Sequence, residues 1–255
     1  MATFGSQDPH AQVGHLAGGP GPGDQTIHCP ECGAPVQLRG TTVSAVCEYC
    51  DSTVVRTGVN IELIGKVSAI LDNGSPILLH SRGKFDNLPF SVDGRLQVQY
   101  ERGTWNEWFL SFADGTTGWL ADAQGQYSVL RPIDPNQVAG RVPPYAEFAP
   151  GKVFRIAGRV LVVVDRRPAA FKGAEGVLPF RAQPGLQYWS VDLRGYQGEF
   201  MTLDWAQDPS HDQPTPYVGR AVTLAEIGLF PLRRFEGWPP PQPPNMAPNR
   251  GGQPR

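Results

Sequence analysis

Two C-x-x-C pairs, Cys29-Pro30-Glu31-Cys32 and Cys47-Glu48-Tyr49-Cys50, stand 14 residues apart and use all four cysteines of the chain. Two residues between thiolates let one knuckle wrap half of a tetrahedral ion, and a second knuckle completes the shell. The spacing predicts a zinc ribbon over residues 27–56 with Cys29, Cys32, Cys47 and Cys50 as the metal ligands. Gly33 relieves the turn after the first knuckle, and Val36–Leu38 is expected to pair with Val43–Val46 between the knuckles. Four protein sulfurs leave no open position for water or substrate, so the Zn2+ is expected to be structural and not catalytic. Two C-x-x-C disulfides, a ribbon that has lost its metal, and iron on the same thiolates are the alternatives. His28, next to Cys29, reads as a surface imidazole, with an alternative ligand as the sharper option. So small a module has little core of its own, and metal binding, worth on the order of 10–16 kcal/mol, must hold it together.

The rest of the chain reads as all-β. Short apolar runs alternate with turn residues, and 30 glycines and 26 prolines in 255 residues supply the punctuation. The clearest hairpin is Trp108–Ala113, Asp114-Gly115, Thr116–Leu120, in which Asp-Gly provides the positive φ angles of a tight turn. By the two-residue period Trp108, Leu110 and Phe112 share one face, while Phe109 and Trp105 lie on the other. Phe90–Leu96 and Phe154–Val160 share a pattern of apolar residues before and after a Gly-Arg pair, and Ile61–Val67 gives a third, looser copy. Each reads as strand, glycine turn, returning strand. Trp189–Leu193 echoes Trp108–Phe112. These repeats predict two related barrel- or sandwich-like β modules, residues 57–131 and 148–232, forming one body if their open edges pair. One short helix is expected where Thr223 and Glu226 make a capping box and Gly228 a stop. Residues 1–26 and the Pro-rich 237–255 hold too little apolar surface to offset ordering and are expected to be disordered tails. The second favours polyproline II, the form a docking peptide would take.

A formal charge of −2 gives no global attraction to nucleic acid or anionic membrane. No apolar run approaches the roughly 18 residues of a spanning helix, and the start lacks the basic and apolar regions of a signal peptide, so a cytoplasmic location without membrane insertion is expected. No His-x-x-x-His, Gly-x-Ser-x-Gly or phosphate-loop motif occurs, no catalytic residue is assigned, and no cysteine is left over as a nucleophile. The acids Glu101, Glu107, Asp114 and Asp122 near the first hairpin, and Asp192, Glu199 and Asp204 near the second, read as turn and rim residues. A basic strip, residues 131–172, reads as the complement of the acidic strip 101–128, with a nucleic-acid backbone as the alternative partner.

Gly103-Thr104-Trp105-Asn106-Glu107-Trp108, the Asp114-Gly115 hairpin, Gly118-Trp119-Leu120, Gly176–Phe180, Tyr188–Leu193 and Tyr217–Arg220 together resemble the bacterial domain of unknown function 4178, over roughly residues 60–232. The ribbon in front resembles one that many members carry. The resemblance implies architecture and no catalytic residue. Three functions compete: a non-enzymatic adaptor or scaffold that binds a protein partner, a nucleic-acid-binding protein using the ribbon and the basic strip, and an enzyme with dispersed acids between the modules. Salt-sensitive nucleic-acid retention would mark the second. A deep pocket with convergent carboxylates of perturbed pKa would mark the third.

Overall fold

The structure, a computed structural model, describes residues 24–40, 42–57, 60–66, 70–138, 142–182, 185–206, 209 and 213–236. The expectation for residues 237–255 lies outside these, as does that for 1–26 up to residue 23. Fifteen strands and two single 3-10 turns make up the described secondary structure, so the chain is all-β.

The ribbon opens with β1 (Gln25–His28) and β2 (Pro35–Leu38), an antiparallel pair, followed by β3 (Ser44–Val46), β4 (Ser52–Thr57) and β5 (Asn60–Lys66). Each knuckle sits in the turn of its own hairpin, the first between β1 and β2 and the second between β3 and β4. The expected pairing of Val36–Leu38 with Val43–Val46 is therefore replaced. The cause is local: Cys29 N–H donates to Ala34 and Gly33 N–H to Cys29, and Cys47 N–H donates to Ser52 and Asp51 N–H to Cys47. A turn closed in this way folds its flanking strands onto each other. β5 pairs with β4, so Ile61 belongs to the ribbon sheet and is no third copy of the barrel motif.

Eight strands close a barrel. Its first meander is β7 (Leu88–Tyr100), β8 (Gly103–Phe112), β9 (Thr117–Ala123) and β10 (Gln126–Pro132); its second is β12 (Arg159–Leu178), β13 (Gln187–Gly195), β14 (Glu199–Trp205) and β15 (Thr215–Val222). β10 pairs with β15 and β7 with β12, all antiparallel, so the open edges of the meanders satisfy each other. Two short strands, β6 (Arg82–Phe85) and β11 (Val153–Ile156), form the hairpins that lead into β7 and β12.

The halves repeat, in a register different from the one the sequence suggested. The β6–β7 turn at Asp86-Asn87 (φ 50° and 65°) corresponds to the β11–β12 turn at Ala157-Gly158 (48° and 75°). A β-bulge follows in each, at Val92/Gly94 and at Val163/Asp165. Each bulge swaps the faces of its strand: Phe90 and Val92 point outward but Leu96 inward, and Leu161 and Val163 point outward but Arg167 inward. Gly94 thus lies inside a continuous strand, not in a turn like Gly158. The ladders also match Trp108 with Val191 and Trp189 with Asn106, so the two tryptophans share a face without being equivalent.

Both outer faces are covered by the chain itself. Ile77, Phe85, Ile227 and Leu229 cover Trp108, Leu110 and Leu120 on the first half. Val138, Phe148 and Ile156 cover Leu193, Met201 and Trp205 on the second. The expected helix at 223–228 is one capped turn. Thr223 N–H donates to Glu226 Oε2 and Glu226 N–H to Thr223 Oγ1, but Phe230 is already exchanging backbone bonds with Arg82. No helix among the described residues is long and apolar enough to cross a membrane.

Candidate functional site

The four cysteines converge. Their sulfur atoms all lie within 4.8 Å of one another, with Cys29 Sγ and Cys50 Sγ 3.7 Å apart and Cys32 Sγ and Cys47 Sγ likewise 3.7 Å apart. Cys29 and Cys47 are buried, against Ile27, Leu38 and Val54. This cluster can hold a metal ion. His28 Nδ1 lies 3.1 Å from the Gly33 carbonyl oxygen, facing the knuckle turn and outside the sulfur cluster.

A second feature, which sequence reasoning missed, lies inside the barrel: a cavity of about 540 Å³. Toward the ribbon its wall is apolar, where Trp119, Phe171 and Phe180 line it and are backed by a cluster that includes Phe109, Leu178 and Val46 of β3. At the β9–β10 turn the exposed Gln124 and Gln126 line it, so the cavity opens to solvent there. Between these ends stand Glu107 of β8, Asp192 of β13 and Asp204 of β14. The acids read as rim residues therefore divide. Asp114 binds Thr116 and Arg131 at its turn, Asp122 faces outward to accept from Ser75 and Asn106, and these three enter the interior.

Each interior carboxyl has a positioned neighbour. The Trp105 indole donates to Glu107 Oε1 at 2.7 Å, and Thr202 Oγ1 donates to Asp192 Oδ1 at 2.8 Å. Ser190 hydrogen-bonds Asp204, whose Oδ1 is buried with no partner. Burial pushes Glu107 up to about 8, against the indole hydrogen bond and with help from the charges of Asp204, Asp192 and Asp122. Burial likewise pushes Asp204 up to about 7, opposed by the Ser190 hydrogen bond and reinforced by Asp192. Asp192 is raised by burial too, though Thr202, Arg167 and Arg194 pull the other way. Tyr188 and Tyr217 are driven upward by burial and by the same acids.

The wall is rich in aromatic rings. Arg167 is ion-paired with Asp165 and lies 4.5 Å from the Tyr100 ring centre and 5.5 Å from that of Trp105, while Arg194 sits 5.5 Å from Phe200. The sequence signal for this interior was present but faint. Trp105, Glu107 and Phe109 alternate, which puts a carboxyl in the inward register between two aromatic residues, and Tyr188, Ser190 and Asp192 alternate likewise, with two polar groups following one ring.

The basic strip does not present one face. Arg131 meets Asp114 at 3.2 Å, Arg166 donates to the Ala146 carbonyl at 2.8 Å, and Arg167 turns into the cavity. Arg141 lies outside the described residues.

Residues 79–224, more than half of the chain, match the family model described as Domain of unknown function (DUF4178). No curated protein matches the chain, and no solved structure does.

Proposed function

The chain belongs to the DUF4178 family, and from that premise we propose that it is a small-molecule-binding β-barrel stabilised at one end by a structural zinc ribbon. The carrying observation is the interior cavity of about 540 Å³, walled by aromatic rings with a few convergent polar groups. Eight-stranded barrels are just wide enough either to fill with side chains or to hold one small ligand, and cavities of a few hundred Å³ with this lining are the usual form of a ligand site. Convergent carboxyls with raised pKa are also what an acid–base enzyme needs. The mark named above for the enzyme reading is thereby met, and ligand binding, which that reading also requires, is the part that the cavity's volume and lining carry on their own.

Zinc suits the sulfur cluster. A Zn–S distance of about 2.3 Å in a tetrahedron sets neighbouring sulfurs about 3.8 Å apart, close to the 3.7 Å observed. A site of four thiolates leaves the ion structural, and the reduced thiols it needs fit a cytoplasmic setting. A protein-binding role draws on one observation, Tyr49, 73% exposed on the second knuckle.

Protein-observed NMR against a fragment library tests the cavity. The indole N–H signals of Trp105 and Trp119, which line it, should shift on binding. Those of Trp108 and Trp205, buried outside the barrel, should stay. If no fragment moves the first pair, the reading fails.

A further inference from the structure

We propose that the cavity takes a small organic cation, an ammonium or guanidinium group on an apolar body, held by Glu107, Asp192 and Asp204 between aromatic walls. This rests on the ligand-binding reading above and names the chemistry of the ligand.

Charge inventory comes first. Four carboxyl side chains line the cavity, Glu107, Asp165, Asp192 and Asp204, against two guanidiniums, Arg167 and Arg194. Arg167 is ion-paired with Asp165 and also acts on Asp192, so with every group ionised the carboxyls outnumber the guanidiniums by two, with Glu107, Asp192 and Asp204 as the three beyond that pair. They come from three strands, so neither one loop nor one turn accounts for their meeting. Second, Asp204 Oδ1 is buried without a hydrogen-bond partner. A buried acceptor left unpaired is costly, and a ligand N–H supplies what is missing. Third, the rings already accept cations, as Arg167 does over Tyr100 and Trp105 and Arg194 over Phe200. Once the three carboxyls are ionised an anion is repelled here, and a ligand without a donor leaves Asp204 Oδ1 unpaired.

The carboxyls also make binding proton-linked. With the cavity empty, burial and mutual repulsion hold Glu107 up to about 8 and Asp204 up to about 7. The groups acting on them are Asp122 from β9, Arg167 from β12, Arg194 from β13 and Asp192 between them. Asp165 and the raised phenols of Tyr188 and Tyr217 share the same wall. A bound cation favours the ionised carboxylates, so binding releases protons and tightens as pH rises toward about 8.5.

Calorimetry on the intact protein with phenethylamine, phenethyl alcohol and phenylacetate, near-isosteric probes, decides the matter when the indole signals are followed in parallel. At pH about 8.5 the amine should bind at least about tenfold tighter than the alcohol. The gap should narrow at pH about 6, and the heat should vary with the buffer because protons are released. Asp204→Asn and Glu107→Gln should each bring the amine down toward the alcohol. Should either variant misfold, the buffer dependence of the unaltered protein still decides. If the alcohol binds as well as the amine while Trp105 and Trp119 shift, the cavity is a ligand site and the cation inference is overturned. Preferential binding of phenylacetate overturns it too. If no probe moves those indoles, the ligand-site reading falls with it.

Discussion

Glu107 and Trp108 are neighbours in the chain and point to opposite sides of the barrel wall: one lines the barrel cavity, the other is 1% exposed beneath the outer cover, with Arg95 4.8 Å from its ring centre. The alternation of a strand does this, and it was legible, since Trp108 and Trp105 were placed on opposite faces from the period alone. What could not be read was company. Glu107 meets Asp192 and Asp204 only because strands far apart in sequence close one barrel, and nothing local encodes that meeting. The faces give a residue-scale prediction. Trp108→Ala should destabilise the protein by about 3–5 kcal/mol, the usual cost of emptying a buried aromatic site. Trp105→Ala removes a cavity wall and the indole bond to Glu107 and should leave the melting temperature much nearer the unaltered value. Thermal melts of both variants check it; the reverse order would put the strand one residue out of register.

At the scale of elements, the ribbon was readable because its information is local: four cysteines at short spacing dictate two knuckles. The β modules were readable as hairpins, and their repeat as a repeat, but its alignment slipped. Composition around Gly94 and Gly158 matched by accident, while the structural correspondence runs through turns with no common residue and bulges that share only Val92 with Val163 and, just beyond, Arg95 with Arg166. The seams where the halves meet explain other glycines. A Cβ at Gly219 would strike the Val129 carbonyl across the β10–β15 seam, and one at Gly94 would strike the Val177 carbonyl across the β7–β12 seam. Backbone atoms in a closed ladder have nowhere to retreat. Gly219→Ala should therefore cost about 1–3 kcal/mol or more, measured by chemical denaturation. A neutral result would mean the seam is looser than the ladder implies.

For the whole molecule, β12 is the shared member: its start belongs to the barrel, and its end, at Val177 and Leu178, pairs with β3 of the ribbon. The ribbon, too small for much core of its own, does not stand apart from the barrel. Val46 of the ribbon packs into the barrel cluster, Ser44 Oγ donates to the Phe180 carbonyl at 2.6 Å, and Arg39 meets Asp93 at 3.0 Å. Metal removal should then reach the cavity wall. Chelation, or Cys29→Ser with Cys32→Ser, should unfold β1 to β4 and raise amide exchange over Val177–Phe180, while β8 and β14 stay protected. Unchanged exchange at Val177–Phe180 would show the ribbon to be only an attachment.

The barrel closes through two seams of hydrogen bonds, and the described residues between β10 and β11, 133–138 and 142–152, add no strand to the barrel wall. Continuity of the chain is thus incidental to the wall. Glu107 belongs to one half and Asp192 and Asp204 to the other, so neither half holds the acid cluster, and each alone bares two long unpaired edges. Two polypeptides divided in that segment would have to find each other to be soluble at all, and in doing so would assemble the cavity between them. The interior is in this sense an interface, a space enclosed only where two four-stranded halves meet along their edges.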